Sequence, residues 1–256
     1  MKVLVVGDVV GKLGRQAVAR LLPHLKRSLG LDLVIANGEN AAGGKGLTPA
    51  TAQELFQAGA DIITSGNHIW AYRDIYAYLD SEPRLLRPLN YPLGSPGSGV
   101  YRGRGVAVIN LMGRVFMPGD LDCPFRAADQ ALAQLEGSPV IVVDMHGEAT
   151  SEKVALAWYL DGRVSAVVGT HTHVSTADAR ILPKGTAYVT DVGMVGPRDS
   201  VIGMGVEEVI QRFLTQLPNP FSPVGRGPAI FNSVLIEVDD VSGHATSIQR
   251  LDQEVP

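Results

Sequence analysis

Short apolar runs rich in Val and Ile recur along the chain at Lys2–Val6, Asp32–Ala36, Asp61–Ser65, Gly105–Asn110, Pro139–Asp144, Val164–Val168 and Thr186–Thr190. Their hydrophobicity is continuous rather than alternating, which predicts strands covered on both faces. Between them, Gln16–Leu29 and Pro49–Ala58 carry a helical period, and Thr48 and Pro49 stand as N-cap and first helical residue of the second. Ser151–Tyr159 opens with a similar cap candidate. This alternation predicts a layered α/β domain, while Phe231–Val238 and Ala245–Leu251 predict a closing β-hairpin around Asp239–Gly243, so the sheet is expected to be mixed or doubled. Leu85–Arg104, Met194–Gly205 and Leu217–Pro228 are dense in Gly and Pro and read as surface loops or lids. There is no internal repeat and no low-complexity segment.

With 256 residues, 45% hydrophobic and 19% charged, the chain has enough apolar side chains for one large core. No charged or Ser/Pro-rich linker divides it, which favours a single domain over residues 1–256. The balance of 22 Lys plus Arg against 26 Asp plus Glu gives a net charge of −4 and no basic footprint for duplex nucleic acid. Small or single-stranded substrates stay open. The single Cys123 excludes a disulfide framework and a thiolate-rich zinc site, and a reducing cytoplasm is the expected location. The apolar run Val3–Val6 is too short for a signal-peptide core or a membrane span, so it reads as the first strand and no membrane association is expected.

Polar residues cluster where the strands end. Val3–Val6 runs into Gly7-Asp8, Leu33–Ala36 into Asn37-Gly38-Glu39-Asn40, and Ile62–Ser65 into Gly66-Asn67-His68. Val140–Asp144 runs into Met145-His146-Gly147, and Ala166–Val168 into Gly169-Thr170-His171-Thr172-His173. In open α/β sheets the crevice outside the carboxyl ends of the strands binds ligands, so these metal-ligand residue types can converge from distant parts of the chain. Glycine ahead of Asp8, Asn67 and the His171/His173 pair permits the sharp turns that this requires. Taken singly, Asp8 would serve as an N-cap and Asn40 as a turn residue, and His24 and His244 read as ordinary hydrogen-bonded or exposed histidines outside the pattern. Gly7, Gly11 and Gly14 do not have dinucleotide-binding spacing, Gly11-Lys12-Leu13 is not a phosphate loop, and no G-x-S-x-G elbow appears.

In order, these motifs resemble those of the calcineurin-like dimetal phosphoesterases, and more closely the bacterial YmdB-like branch. The resemblance runs from Lys2 through Asp191-Val192-Gly193-Met194-Val195-Gly196 to the closing hairpin, and Gly-Asn-His together with His-x-His is its specific part. It implies a layered α/β sandwich of two mixed β-sheets flanked by helices, and a phosphodiesterase acting on nucleoside 2′,3′-cyclic or 3′,5′-cyclic monophosphates. It also implies two metal ions, one at Asp8, Glu39, Asn40 and His173 and the other at Glu39, Asn67, His146 and His171. Iron or manganese is favoured by the family, with zinc compatible with such mixed oxygen and nitrogen ligands. Two cations would bind phosphoryl oxygens and acidify a bridging water, leaving a locally positive pocket in an acidic protein.

The chain departs from the broad superfamily at three places. Asp8 is followed by Val9-Val10 rather than a histidine, Glu39-Asn40 runs into Ala41-Ala42-Gly43-Gly44 where a second Asp and an Arg are usual, the resemblance implying that Asn40 replaces the lost histidine, and Ile69 stands where an acidic residue usually follows Gly-Asn-His. His68 is expected to stay off the metals and act as general acid on the leaving alkoxide, the alternative being an eighth ligand, with Asp74 a candidate to orient it. A phosphomonoesterase or 5′-nucleotidase on the same site, and a regulatory RNA-related module with little turnover, are the competing functions. A homo-oligomer is compatible with the chain, and the Leu85–Arg104 and Met194–Gly205 loops are expected to shape the substrate pocket.

Overall fold

The structure is a computed structural model that describes residues 1–103 and 105–256. One sheet is built on β1 (Lys2–Val6), flanked on one side by the parallel strands β3 (Leu33–Asn37) and β4 (Ile62–Thr64). On its other side the hairpin β13 (Ser233–Val238) and β14 (Ala245–Arg250) adds antiparallel strands, pairing Lys2 with Glu237 and Val6 with Ser233. The second sheet has β6 (Val106–Met112), β7 (Val140–His146), β8 (Ala166–Thr170) and β10 (Ala187–Val189) in parallel, edged by antiparallel β5 (Val100–Gly103) and β9 (Arg180–Ile181). The expected pair of mixed sheets is therefore present. A smaller third sheet joins β2 (Asp8–Val9), β11 (Met194–Pro197), β12 (Ala229–Phe231) and β15 (Gln253–Val255).

Continuous hydrophobicity has the consequence expected of it. Val3, Val5, Leu33 and Ile35 point from the first sheet onto Val108, Val142, Ala166 and Val168 of the second, forming a dry layer between them. The alternate residues Leu4, Val6, Val34 and Ala36 face outward onto α1 (Gly11–Leu29), α2 (Pro49–Ala58) and α3 (Asp74–Ser81). Ile109, Val143 and Val167 face α4 (Pro124–Gln134) and α5 (Thr150–Leu160). Each of these strand residues is buried whichever way it points, and burying a Val, Leu or Ile is worth about 1.5–3 kcal/mol. The resulting order is helix, sheet, sheet, helix, and the carboxyl ends of β1, β3, β4, β7 and β8 open on one edge of this sandwich.

The sequence reading falls short at several elements. α1 begins at Gly11 rather than Gln16, because Gly14 lets its first turns lie against β11: a Cβ there would stand 2.3 Å from the Val195 carbonyl oxygen. α3 and α4 lie outside the helices that the periodicity predicts, although Pro124 at the start of α4 takes the same first-turn place as Pro49 in α2. The segment expected as a Met194–Gly205 loop opens with β11, and Leu85–Arg104 contains edge strand β5; its last residue, Arg104, lies outside the described residues. After that segment comes α6 (Val206–Thr215), whose Ile210, Phe213 and Leu214 are exposed. No helix among the described residues is long and apolar enough to cross a membrane.

Candidate metal centre

The strand ends bring Asp8, Glu39, Asn40, Asn67, His68, His146, His171 and His173 to one place. Asp8 follows Gly7, where any Cβ would lie 2.1 Å from the Gly193 carbonyl oxygen. Asn37, closing β3, accepts the Glu39 N–H at 2.9 Å and so folds the Asn37-Gly38-Glu39-Asn40 turn back toward the crevice. The ring of His146, the last residue of β7, packs directly on Gly66, where a Cβ would sit 2.2 Å from Nε2. His171 and His173 follow β8 with φ of 102° and 65°, a left-handed backbone that non-glycine residues rarely adopt. Asp8, Glu39 and His146 are completely buried.

Contacts divide the cluster into two linked groups. In one, Asn40 Nδ2 lies 3.0 Å from His173 Nε2, which is 3.8 Å from Asp8 Oδ1. In the other, His146 Nε2 lies 3.1 Å from His171 Nδ1, 3.2 Å from Asn67 Oδ1 and 3.7 Å from Glu39 Oε1. The His171 N–H donates to Asp8 Oδ2 at 3.0 Å, tying the groups together. His68 donates its backbone N–H to Glu39 Oε1, and its Nδ1 sits 2.9 Å from Asn40 Oδ1 and 3.2 Å from Glu39 Oε1. Asn40 and Glu39 therefore orient His68. Asp74, the sequence candidate for that task, instead sits exposed in the first turn of α3.

Outer partners decide which ring nitrogens carry hydrogen. His173 Nδ1 meets the Ile202 carbonyl oxygen at 2.8 Å and His171 Nε2 meets Glu148 at 3.1 Å; both partners are acceptors, so both nitrogens donate. Thr170 Oγ1 gives its proton to Asp144 at 2.7 Å and accepts from His146 Nδ1 at 3.0 Å. Each imidazole is thus protonated on its outer nitrogen and bare on its inner one, the arrangement that second-layer partners impose on metal-binding histidines. Two bare nitrogens, on His146 and His171, face each other at 3.1 Å.

The carboxylates are equally incomplete. Asp8 Oδ1 and Glu39 Oε2 are buried without a hydrogen-bond partner. Burial, aggravated by the Asp191 carboxylate, raises the Asp8 carboxyl well above its ordinary range, and burial raises Glu39 likewise, against the His68 N–H that lowers it. Burial pushes His146 well down, and it brings His68 to about 4 with help from the Lys45 ammonium. Buried carboxyl oxygens without cations and imidazoles held neutral, all around one space, fit positively charged metal ions. Among the described residues no three His, Cys, Asp or Glu side chains alone form a metal-binding group; the Asn40 and Asn67 amides are interleaved among them and would complete the donor set. Asp144, Thr170, Glu148 and Ile202 belong to the centre through these outer contacts and were missed from the sequence, where only the polar endings Asp144 and Thr170 of apolar strands could have signalled them.

Residues 4–251 match the model of the YmdB-like protein family. Over 256 aligned residues the chain is 51% identical to the 2′,3′-cyclic-nucleotide 2′-phosphodiesterase of Bacillus subtilis strain 168, with 98% of this chain and 96% of that one covered. A hypothetical protein from Thermus thermophilus superposes with a TM-score of 0.93 at 47% identity over the whole of both chains. A phosphatase from Mycoplasma pneumoniae superposes with a TM-score of 0.92 at 36% identity, over 99% of this chain and 93% of that one.

Proposed function

The chain belongs to the YmdB-like family and is a phosphodiesterase; we propose that its substrate is a nucleoside 2′,3′-cyclic monophosphate, hydrolysed over a two-metal centre. The observation that carries the metal reading is the convergence of bare ring nitrogens and unpartnered carboxylate oxygens on one buried space. Asp8, Glu39, Asn40 and His173 would hold one ion, and Glu39, Asn67, His146 and His171 the other. The nitrogen and oxygen donors suit iron or manganese, with zinc also compatible. When bound, such ions neutralise phosphoryl oxygens and lower the pKa of a water molecule.

The remaining chemistry falls to the chain. Glu39 and Asn40 hold Nδ1 of His68, so Nε2 is the atom left to serve the substrate. Water gives up one proton to solvent and adds to phosphorus, the bond from phosphorus to the ribose oxygen breaks, and that oxygen takes a proton from Nε2, which solvent then restores. Burial disfavours the charged ring, whereas an anionic phosphodiester laid against it favours that form, so proton uptake accompanies substrate binding. The sugar oxygen is a poor leaving group, which is where general acid catalysis matters most.

The test is competition among nucleoside 2′,3′-cyclic, 3′,5′-cyclic and monophosphate substrates, with the metal content of the same preparation measured. Preference for the 2′,3′-cyclic diester by metal-loaded protein supports the reading. Preference for monophosphates would assign a phosphomonoesterase instead.

A further inference from the structure

A buried ion pair lies beneath the metal centre and takes no part in the chemistry above. Lys153 of α5 is 1% exposed, Asp191 is fully buried, and Nζ stands 2.8 Å from Asp191 Oδ2. The lysine reaches this position past two glycines, Gly147 just after β7 and Gly169 next to last in β8. Its Cδ would be 2.9 Å from a Cβ on Gly169, and its Cε passes 3.9 Å from the Cβ position of Gly147.

Asp191 uses both oxygens. Oδ2 also accepts the backbone N–H of Thr172 at 3.1 Å and its hydroxyl at 2.7 Å, while Oδ1 accepts the Gly193 N–H at 2.8 Å. Thr172 stands between His171 and His173, the two residues with positive φ. Left-handed backbone at two adjacent-but-one non-glycine positions is strained and persists only where the surroundings hold it. Stability alone is a poor reason for the pair, since apolar replacements of buried ion pairs are often neutral or stabilising. What apolar residues cannot supply is an oriented acceptor for both donors of Thr172.

We propose that Lys153 and Asp191 are positioning residues which, by gripping Thr172, hold the His171-Thr172-His173 turn in the conformation that aims both imidazoles into the metal centre. Lys153 fixes and neutralises the Asp191 carboxylate; Asp191 fixes the turn. This inference rests on the metal centre proposed above.

The experiment compares Thr172→Val, which keeps the shape and loses the hydroxyl, with Thr172→Ser, which keeps the hydroxyl. Metal retained after dialysis against a graded chelator gives affinity, and melting of the metal-free proteins reports on folding. Thr172→Val is expected to lose about 10–100-fold in affinity, the usual cost of removing an outer hydrogen bond from a metal site. Its metal-free Tm should fall by no more than about 4 °C, and Thr172→Ser should bind like the unaltered protein. Should Thr172→Val not fold, the Lys153→Met/Asp191→Leu double variant, which leaves no charge unpaired and no acceptor for Thr172, carries the same expectation of weakened binding. Unaltered affinity in the variant tested, or equal losses in the valine and serine variants, overturns the positioning role. Absence of metal from the unaltered protein sinks the metal centre itself, and the positioning role with it.

Discussion

The layer between the two sheets and the crevice at their carboxyl ends are made by the same strands, yet they are opposite kinds of interior. Between the sheets, Val5, Ile35, Val108 and Val142 are buried against one another with no polar side chain to satisfy. At the strand ends, Asp8, Glu39 and His146 are just as deeply buried, with Asp8 Oδ1 and Glu39 Oε2 lacking partners. The first region stabilises the fold by burial; the second costs stability and is held in place by it. A site that needs desolvated charge is sustainable only on a scaffold with so much apolar area already secured.

Substitutions on the two sides of this divide should therefore behave oppositely. Asp8→Asn and His146→Ala should lose metal and nearly all turnover, while the metal-free Asp8→Asn protein melts no lower than the metal-free parent, because a desolvated charge has been removed. Ile35→Ala should do the reverse, costing about 2–5 kcal/mol in denaturant unfolding while leaving metal content and kcat per folded molecule unchanged. Loss of metal-free stability in Asp8→Asn comparable with that of Ile35→Ala would erase the distinction.

Within the crevice, the acid and the ligands should separate next. His68→Ala should keep its metals and lose about 10²–10⁴-fold in kcat on a cyclic nucleotide, but far less on a nitrophenyl diester, whose leaving group needs little protonation. Equal losses on both substrates would remove the acid assignment. The smallest effect expected is at Thr170→Val, which frees His146 Nδ1 from its hydroxyl partner; metal affinity should drop about 10–100-fold, measured by chelator competition.

The two regions were also unequally legible in the sequence. The dry layer announced itself through uninterrupted Val and Ile runs, and the ligands through glycine-flanked polar residues placed straight after those runs. Strands β2, β11, β12 and β15 are two to four residues long and pair only with one another, so local pattern does not reveal them. α6 is the opposite case: Val206, Val209, Ile210, Phe213 and Leu214 stand at the i, i+3, i+4, i+7 and i+8 spacing of one helix face, so its pattern is present in the sequence although only Val209 is buried. His68 is instructive in the same way. Asp74 is near it in sequence, but the groups that hold it, Asn40 and Glu39, come from 28 and 29 residues earlier on another strand end. The Asp144–Thr170–His146 chain likewise crosses between neighbouring strands, where sequence distance says nothing about contact.

If the buried, unpartnered oxygens and bare imidazole nitrogens at the strand ends exist to hold two metal ions, the protein must bind them there. Elemental analysis of the purified protein beside its Asp8→Asn and His146→Ala variants tests this most directly. Two equivalents of iron, manganese or zinc per chain are expected in the unaltered protein, with a clear loss in both variants. Full metal occupancy in both variants, or an unaltered protein that binds no metal even when these ions are supplied, would contradict it.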